Sequence, residues 1–207
     1  MKINIALIPS REIQEVAIAA SEELGELVPV YFKLGVDGPY PHVTLYSFEC
    51  KPHRKTVIVR KVRDVLVTGV AAGLLCRFNG VEHHSGFLGV TIEKTEKLLN
   101  LHWAIIEAVH DQRTQKIVDA DPNGLRLSGE QAENLRRFGY PDVGEQYNPH
   151  VTITRFPDHD DAVDAAEVLR EEFDVWHPFH PRLGVFEGGE HGTCVKLIKS
   201  FDLFVSG

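Results

Sequence analysis

Pro41-His42-Val43-Thr44-Leu45-Tyr46-Ser47-Phe48 returns later in the chain as Pro149-His150-Val151-Thr152-Ile153-Thr154-Arg155-Phe156. Five of the eight positions are identical, and Leu45 against Ile153 is a conservative sixth. Both copies follow a turn-rich stretch, GVDGPYP before the first and YPDVGEQYNP before the second. Both carry the β-branched and aliphatic residues of a strand. Shared sequence in a shared context argues against coincidence.

Along a strand, residues i and i+2 face the same side. His42 therefore projects with Thr44, and His150 with Thr152, while Val43, Leu45, Val151 and Ile153 point to the opposite, apolar face. Each strand offers one imidazole and one hydroxyl on the wetter face of a half-buried ribbon. Side by side, two such strands bring four polar groups to one cleft. Packing alone would keep the valines and aliphatics; it has no use for a histidine and a threonine on the polar side. A single strand histidine is more often structural than functional, so the weight falls on the repetition.

Outward from the repeat, strands and helices alternate. INIALIP reads as a strand, Arg11 to Leu27 as an amphipathic helix, and Val30 to Leu34 as a further strand. Lys55 to Leu66 is ambiguous, rich in β-branched residues but with charges near helical spacing, and reads as helix in its second half. Strands are expected around Leu74 to Phe78 and Phe87 to Ile92. Thr95 to Gln112 is the clearest helix, with Leu98, Leu101, His102, Ile105, Ile106 and Val109 on one stripe. Asp158 is placed to cap a helix reaching Phe173, and strand-like runs at Arg182 to Phe186 and Thr193 to Phe204 flank the turn GGEHG. Residues 113–148 form a polar insertion containing DADPNG and a short helical piece near Glu130 to Phe138. A segment of that length serves as a lid or binding loop, or is a solvated excursion. With no Gly-rich phosphate loop, the pattern predicts an α+β arrangement of mixed, largely antiparallel sheets with helices outside.

The 207 residues suffice for one large domain or two small lobes sharing a core. No apolar run approaches a membrane span, and the N-terminal segment lacks the features of a signal peptide, so the cytoplasm is the expected location. Three separated cysteines, Cys50, Cys76 and Cys194, argue against a disulfide framework and a cysteine-rich zinc site. A formal net charge of −8 favours a small ligand or a nucleic-acid end over a long duplex gripped by its phosphates. Nothing suggests an obligate partner, so a monomer is expected.

Two imidazoles near neutrality can serve as base and acid. Attack at a phosphodiester requires one proton taken from the nucleophile and one given to the leaving oxygen, each transfer contributing about 10²–10⁴-fold. Hydroxyls can donate to the non-bridging oxygens, and the scheme requires neither metal nor cofactor. His83-His84, the pair His177 and His180 in WHPFHP, and His102 with His110 lack the compact spacing of hydrolytic metal sites.

On His42-Val43-Thr44 and His150-Val151-Thr152, each followed by an aliphatic residue, and on Arg155 after the second, the chain resembles the 2H phosphoesterase superfamily. It looks most like the branch of 2′-5′ RNA ligases and RNA 2′,3′-cyclic phosphodiesterases. The resemblance implies a bilobal fold with pseudo-twofold symmetry and a central cleft, one motif from each lobe. It implies hydrolysis of a 2′,3′-cyclic or related 2′-5′ or cyclic nucleotide phosphodiester, with His42 and His150 as the catalytic pair. Thr44 and Thr152 would hold phosphoryl oxygens, and Arg155 would neutralise charge. Tyr46, where many relatives carry lysine, and the length of the insertion leave the substrate open. Tyr46, Tyr40 and Tyr147 flank the motifs and are candidates to stack on a base, a position in which aromatics serve packing as often. Two rival readings are a non-catalytic nucleotide-binding module and a 2′-5′ RNA-end ligase.

Overall fold

A computed structural model describes residues 1–114 and 126–203. DADPNG, within the polar insertion, lies outside the described residues. Twelve elements set the frame: β1 (Lys2–Ile8), α1 (Arg11–Leu27), β2 (Val43–Glu49), α2 (Lys55–Val67), β3 (Phe78–His84), β4 (Phe87–Ile92), α3 (Glu96–Val109), α4 (Gly129–Phe138), β5 (His150–Arg155), α5 (His159–Glu171), β6 (Arg182–Gly188) and β7 (Cys194–Asp202).

The seven strands form one antiparallel sheet in the order β3-β4-β5-β2-β1-β6-β7, so the fold is α+β as expected. The two motif strands, distant in sequence, are central neighbours. Their seam is narrow: among the described residues, the one register position β2 and β5 share is Val43 opposite Val151. On either side the ladders are long, β1 against both β2 and β6, and β4 against both β3 and β5.

Alternation assigns the faces. Ile3, Ile5 and Leu7 of β1, Val43 and Leu45 of β2, and Val151 and Ile153 of β5 lie in one continuous apolar core. Ile13, Ala17 and Leu24 of α1 and Leu98, Leu101 and Ile105 of α3 fill the same core. Asn4 and Ala6 fall on the other face of β1.

Both motif strands bulge at the same place. β1 pairs Ile5 with Tyr46 and Ala6 with Thr44, leaving Leu45 as the extra residue. β4 pairs Leu88 with Thr154 and Gly89 with Thr152, leaving Ile153 as the extra residue. An extra residue reverses the inward and outward alternation beyond it. Past the bulges, Tyr46 and Thr154 turn into the protein, while Ser47 and Arg155 face the cleft.

Two expected strands are corrected. Val30 to Leu34 makes none, because its backbone groups bond elsewhere: Tyr31 N–H to Arg155 O, Phe32 O to the Thr154 hydroxyl, and Leu34 N–H to the Ser21 hydroxyl. Around Leu74 to Phe78 only Cys76 forms a bridge, with Phe179; the strand begins at Phe78 and runs through polar sequence to His84. As a sheet edge, it has no apolar face pair to announce it. The ambiguous Lys55 segment is helical throughout, with Ile58 and Val62 buried.

Candidate active site

The motif strands carry one wall of a cleft of about 1170 Å³. Antiparallel geometry around the Val43–Val151 pair puts His42 across from Thr152 and Thr44 across from His150. The two imidazoles thus stand on one diagonal and the two hydroxyls on the other. Diagonal neighbours of this kind are about 7–8 Å apart at the backbone. All four side chains line the cleft.

Both rings are anchored in the same way. His42 Nδ1 lies 2.8 Å from Tyr40 O, and His150 Nδ1 lies 2.8 Å from Asn148 O. A carbonyl only accepts, so Nδ1 carries the proton in both, and Nε2 is left with its lone pair in the neutral ring. In each motif the acceptor sits two residues before the histidine, across the intervening proline. The tautomer is therefore set by local sequence, Tyr40-Pro41-His42 and Asn148-Pro149-His150.

The surroundings then diverge. His42 is 8% exposed, and its pKa is pushed down to about 4, chiefly because burial disfavours the charged ring; nearby His150 and Lys2 act in the same direction. The hydrogen bond to Tyr40 O and the nearby Gly192 backbone oppose the shift without cancelling it. Asn4, buried on β1, donates from Nδ2 to Thr44 Oγ1 at 3.1 Å and lies 3.4 Å from His42 Nε2. His150 is about one-third exposed, with Glu82 Oε1 3.7 Å from its Nδ1. Glu82 is itself fixed by the Asn148 amide at 2.7 Å. A Cβ on Gly89 would come within 3.3 Å of His150 Cδ2, so the missing side chain keeps room for that ring.

Arg155 lies on the same wall, its guanidinium 4.5 Å from the Phe87 ring centroid and 5.4 Å from that of Tyr31. The placement of Tyr46 and Tyr147 corrects the expectation that they stack on a base. Tyr46 is fully buried, its hydroxyl donating to Phe138 O at 2.6 Å, because the Leu45 bulge turned it inward. Tyr147 is buried flat against His102, ring centroids 4.0 Å apart. Tyr40 does line the cleft. The described part of the insertion supplies a further side of the cleft through Arg126, Gln131, Tyr140 and Asp142.

Sequence reading passed over Asn4, Glu82 and His191. Asn4 had a signal: it is the one polar residue inside the apolar run Ile3–Ile8. A polar side chain placed there needs a partner. His191, the one imidazole in GGEHG, also stood out in sequence, whereas nothing local marked Glu82.

A strand pair presenting two imidazoles and two hydroxyls to one cleft is the arrangement of a two-histidine phosphoesterase. The family comparison agrees: residues 17–183 match the 2′-5′ RNA ligase superfamily, and the chain belongs to it. That superfamily comprises 2H phosphoesterases, among them cyclic phosphodiesterases and RNA ligases. The fold is similar to that in the crystal structure of TT0787 of Thermus thermophilus, with TM-score 0.56, 16% identity and both chains covered in full. No curated protein sequence matches the chain.

Proposed function

We propose that this protein is a metal-independent phosphodiesterase that opens a 2′,3′-cyclic phosphate, or a related 2′-5′ or cyclic nucleotide linkage, to a 2′-phosphate. The observation that carries this reading is the diagonal of two Nδ1-anchored imidazoles across a single paired position of the sheet. With Nδ1 of each ring held by a carbonyl, the two Nε2 atoms suit the two sides of one phosphorus atom.

His42 is neutral at pH 7, the form a base requires. Its Nε2 takes a proton from water as the water oxygen bonds to phosphorus. The bond from phosphorus to the ribose 3′ oxygen breaks, and His150 in its doubly protonated form gives that oxygen a proton. Glu82, 3.7 Å away, forms an ion pair with that protonated ring. Thr44 and Thr152 donate to the non-bridging oxygens, and Arg155 offsets the charge that develops on them. The products are a 2′-phosphate and a 3′-hydroxyl; solvent exchange resets both rings. The net charge of −8 favours a small nucleotide or an RNA terminus as substrate. Ligation, the alternative, would use the same transfers with an RNA 5′-hydroxyl in place of water, leaving a 2′-5′ linkage and a 3′-hydroxyl.

The test is a panel of 2′,3′-cyclic nucleotides, 2′-5′ dinucleotides and cyclic-phosphate RNA ends, assayed with EDTA present. Turnover is expected to survive the chelator. His42→Ala and His150→Ala should each lower kcat by about 10²-fold or more while remaining folded by circular dichroism. Full turnover in both variants would overturn the reading, and loss of wild-type activity in EDTA would return a metal to the mechanism.

A further inference from the structure

Besides the motif histidines, His83 and His84 line the cleft, and the turn between β6 and β7 carries one more, His191, into its wall. His191 sits there at φ 53°, ψ 26°, a left-handed conformation uncommon for a residue with a Cβ. Such a backbone persists where surrounding contacts hold it, and here two sets do. Its ring packs on Tyr31, centroids 4.6 Å apart, and its Nδ1 lies 2.9 Å from Arg155 Nη1. Arginine only donates, so this Nδ1 accepts and Nε2 carries the proton. That is the opposite tautomer from the two motif histidines. The next residue, Gly192, lines the cleft with its backbone beside the His42 ring. One short turn therefore adjoins the histidine of the first motif and holds the arginine of the second, across a seam with one paired position.

We infer that His191 is a positioning residue: it accepts a hydrogen bond from Arg155 and thereby aims the guanidinium at the phosphoryl group. Arg155 has aromatic rings beside it at Phe87 and Tyr31, which hold a guanidinium without selecting where each N–H points. The His191 nitrogen lone pair, 2.9 Å from Nη1, gives that nitrogen a fixed direction. The remaining Nε2–H makes His191 a further donor at the cleft wall. The inference rests on the reading of Arg155 as a phosphate-facing group.

The experiment compares His191→Ala, His191→Asn, Arg155→Ala and the double variant His191→Ala/Arg155→Ala. It measures hydrolysis of adenosine 2′,3′-cyclic monophosphate and binding of adenosine 2′-monophosphate by calorimetry. His191→Ala is expected to lose about tenfold or more in kcat/KM, the scale of a hydrogen bond to a charged group. His191→Asn should recover most of that loss, since its amide oxygen replaces the acceptor and asparagine tolerates left-handed backbone. The double variant should be no worse than Arg155→Ala, and the 2′-monophosphate should weaken in parallel. A His191→Ala enzyme within twofold of wild type, or losses that multiply in the double variant, would overturn the inference and leave the function standing. A wild type that cleaves no member of the cyclic-phosphate and 2′-5′ panel would overturn both.

Discussion

His42 and His150 share sequence, strand position and tautomer, yet they are not chemically equivalent. Burial holds His42 neutral down to about pH 4, while His150 sits near solvent beside a carboxylate. If His42 is the base, kcat/KM falls on the acid side only when that ring takes a proton. The acid limb should then lie near pH 4, about 2.5 units below the limb of a free imidazole. A pH profile of initial rates, taken quickly enough to precede unfolding, checks this; an acid limb at 6.5 would sink the assignment of an enclosed base. The four motif side chains were legible in sequence because strand alternation holds up to each threonine. It fails one residue later, at Leu45 and Ile153, where the bulges reverse the faces. Strict alternation would put Tyr46 with His42 and bury Arg155; the structure does the reverse. Arg155 was picked out by resemblance, not by geometry; Tyr46 was named because it flanks the first motif, and its neighbour Ser47, which faces the cleft, was passed over.

At the scale of elements, α3 ties the segment ahead of the second motif to the first motif strand. His102, fully buried, has Nδ1 2.7 Å from Leu45 O of β2, and its Nε2 accepts from Gly144 N–H at 3.2 Å. The 3₁₀ turn at Gly144–Gln146 leads directly into Tyr147 and the second motif. His102→Leu preserves the apolar stripe of α3 but strands the Leu45 carbonyl and the Gly144 amide. Each buried group left without a partner costs about 1–3 kcal/mol, so destabilisation of about 2–6 kcal/mol is expected at pH 7. Urea denaturation measures it; a change below about 1 kcal/mol would mean that these bonds hold little. The stripe itself was readable from its period, as was α1, because each helix buries one continuous face. That one member of the stripe is a satisfied polar bridge was not readable, since both partners come from distant backbone. Edge strand β3 escaped for a related reason: its neighbours are on one side only and its residues are mostly half-buried.

For the whole molecule, two enclosed neutral imidazoles make stability depend on pH. The folded pKa values of His42 and His102 are about 4, with burial the largest cause in each, against 6.5 for a free ring. Between those values the unfolded chain binds protons that the folded chain refuses, so stability falls as pH drops through this window. Above about pH 7 both states hold neutral rings and the effect vanishes. At pH 5 the loss is about 2 kcal/mol for each ring, or about 4 kcal/mol for the pair, from 1.36 kcal/mol per unit over about 1.5 units. His191, lowered mainly by burial and next by Arg155, acts in the same direction. Set against a usual total of about 5–15 kcal/mol, a loss of this size is easily measured. Urea melts at pH 7 and pH 5 should show it, ahead of the carboxylate titrations that govern acid unfolding. His102→Leu supplies the internal control: less stable at pH 7, it should lose only about half as much on going to pH 5, because one of the two rings is gone. Equal stability of the wild type at both pH values would mean that the rings titrate freely when folded, and the enclosed base at the first motif would fall with that result.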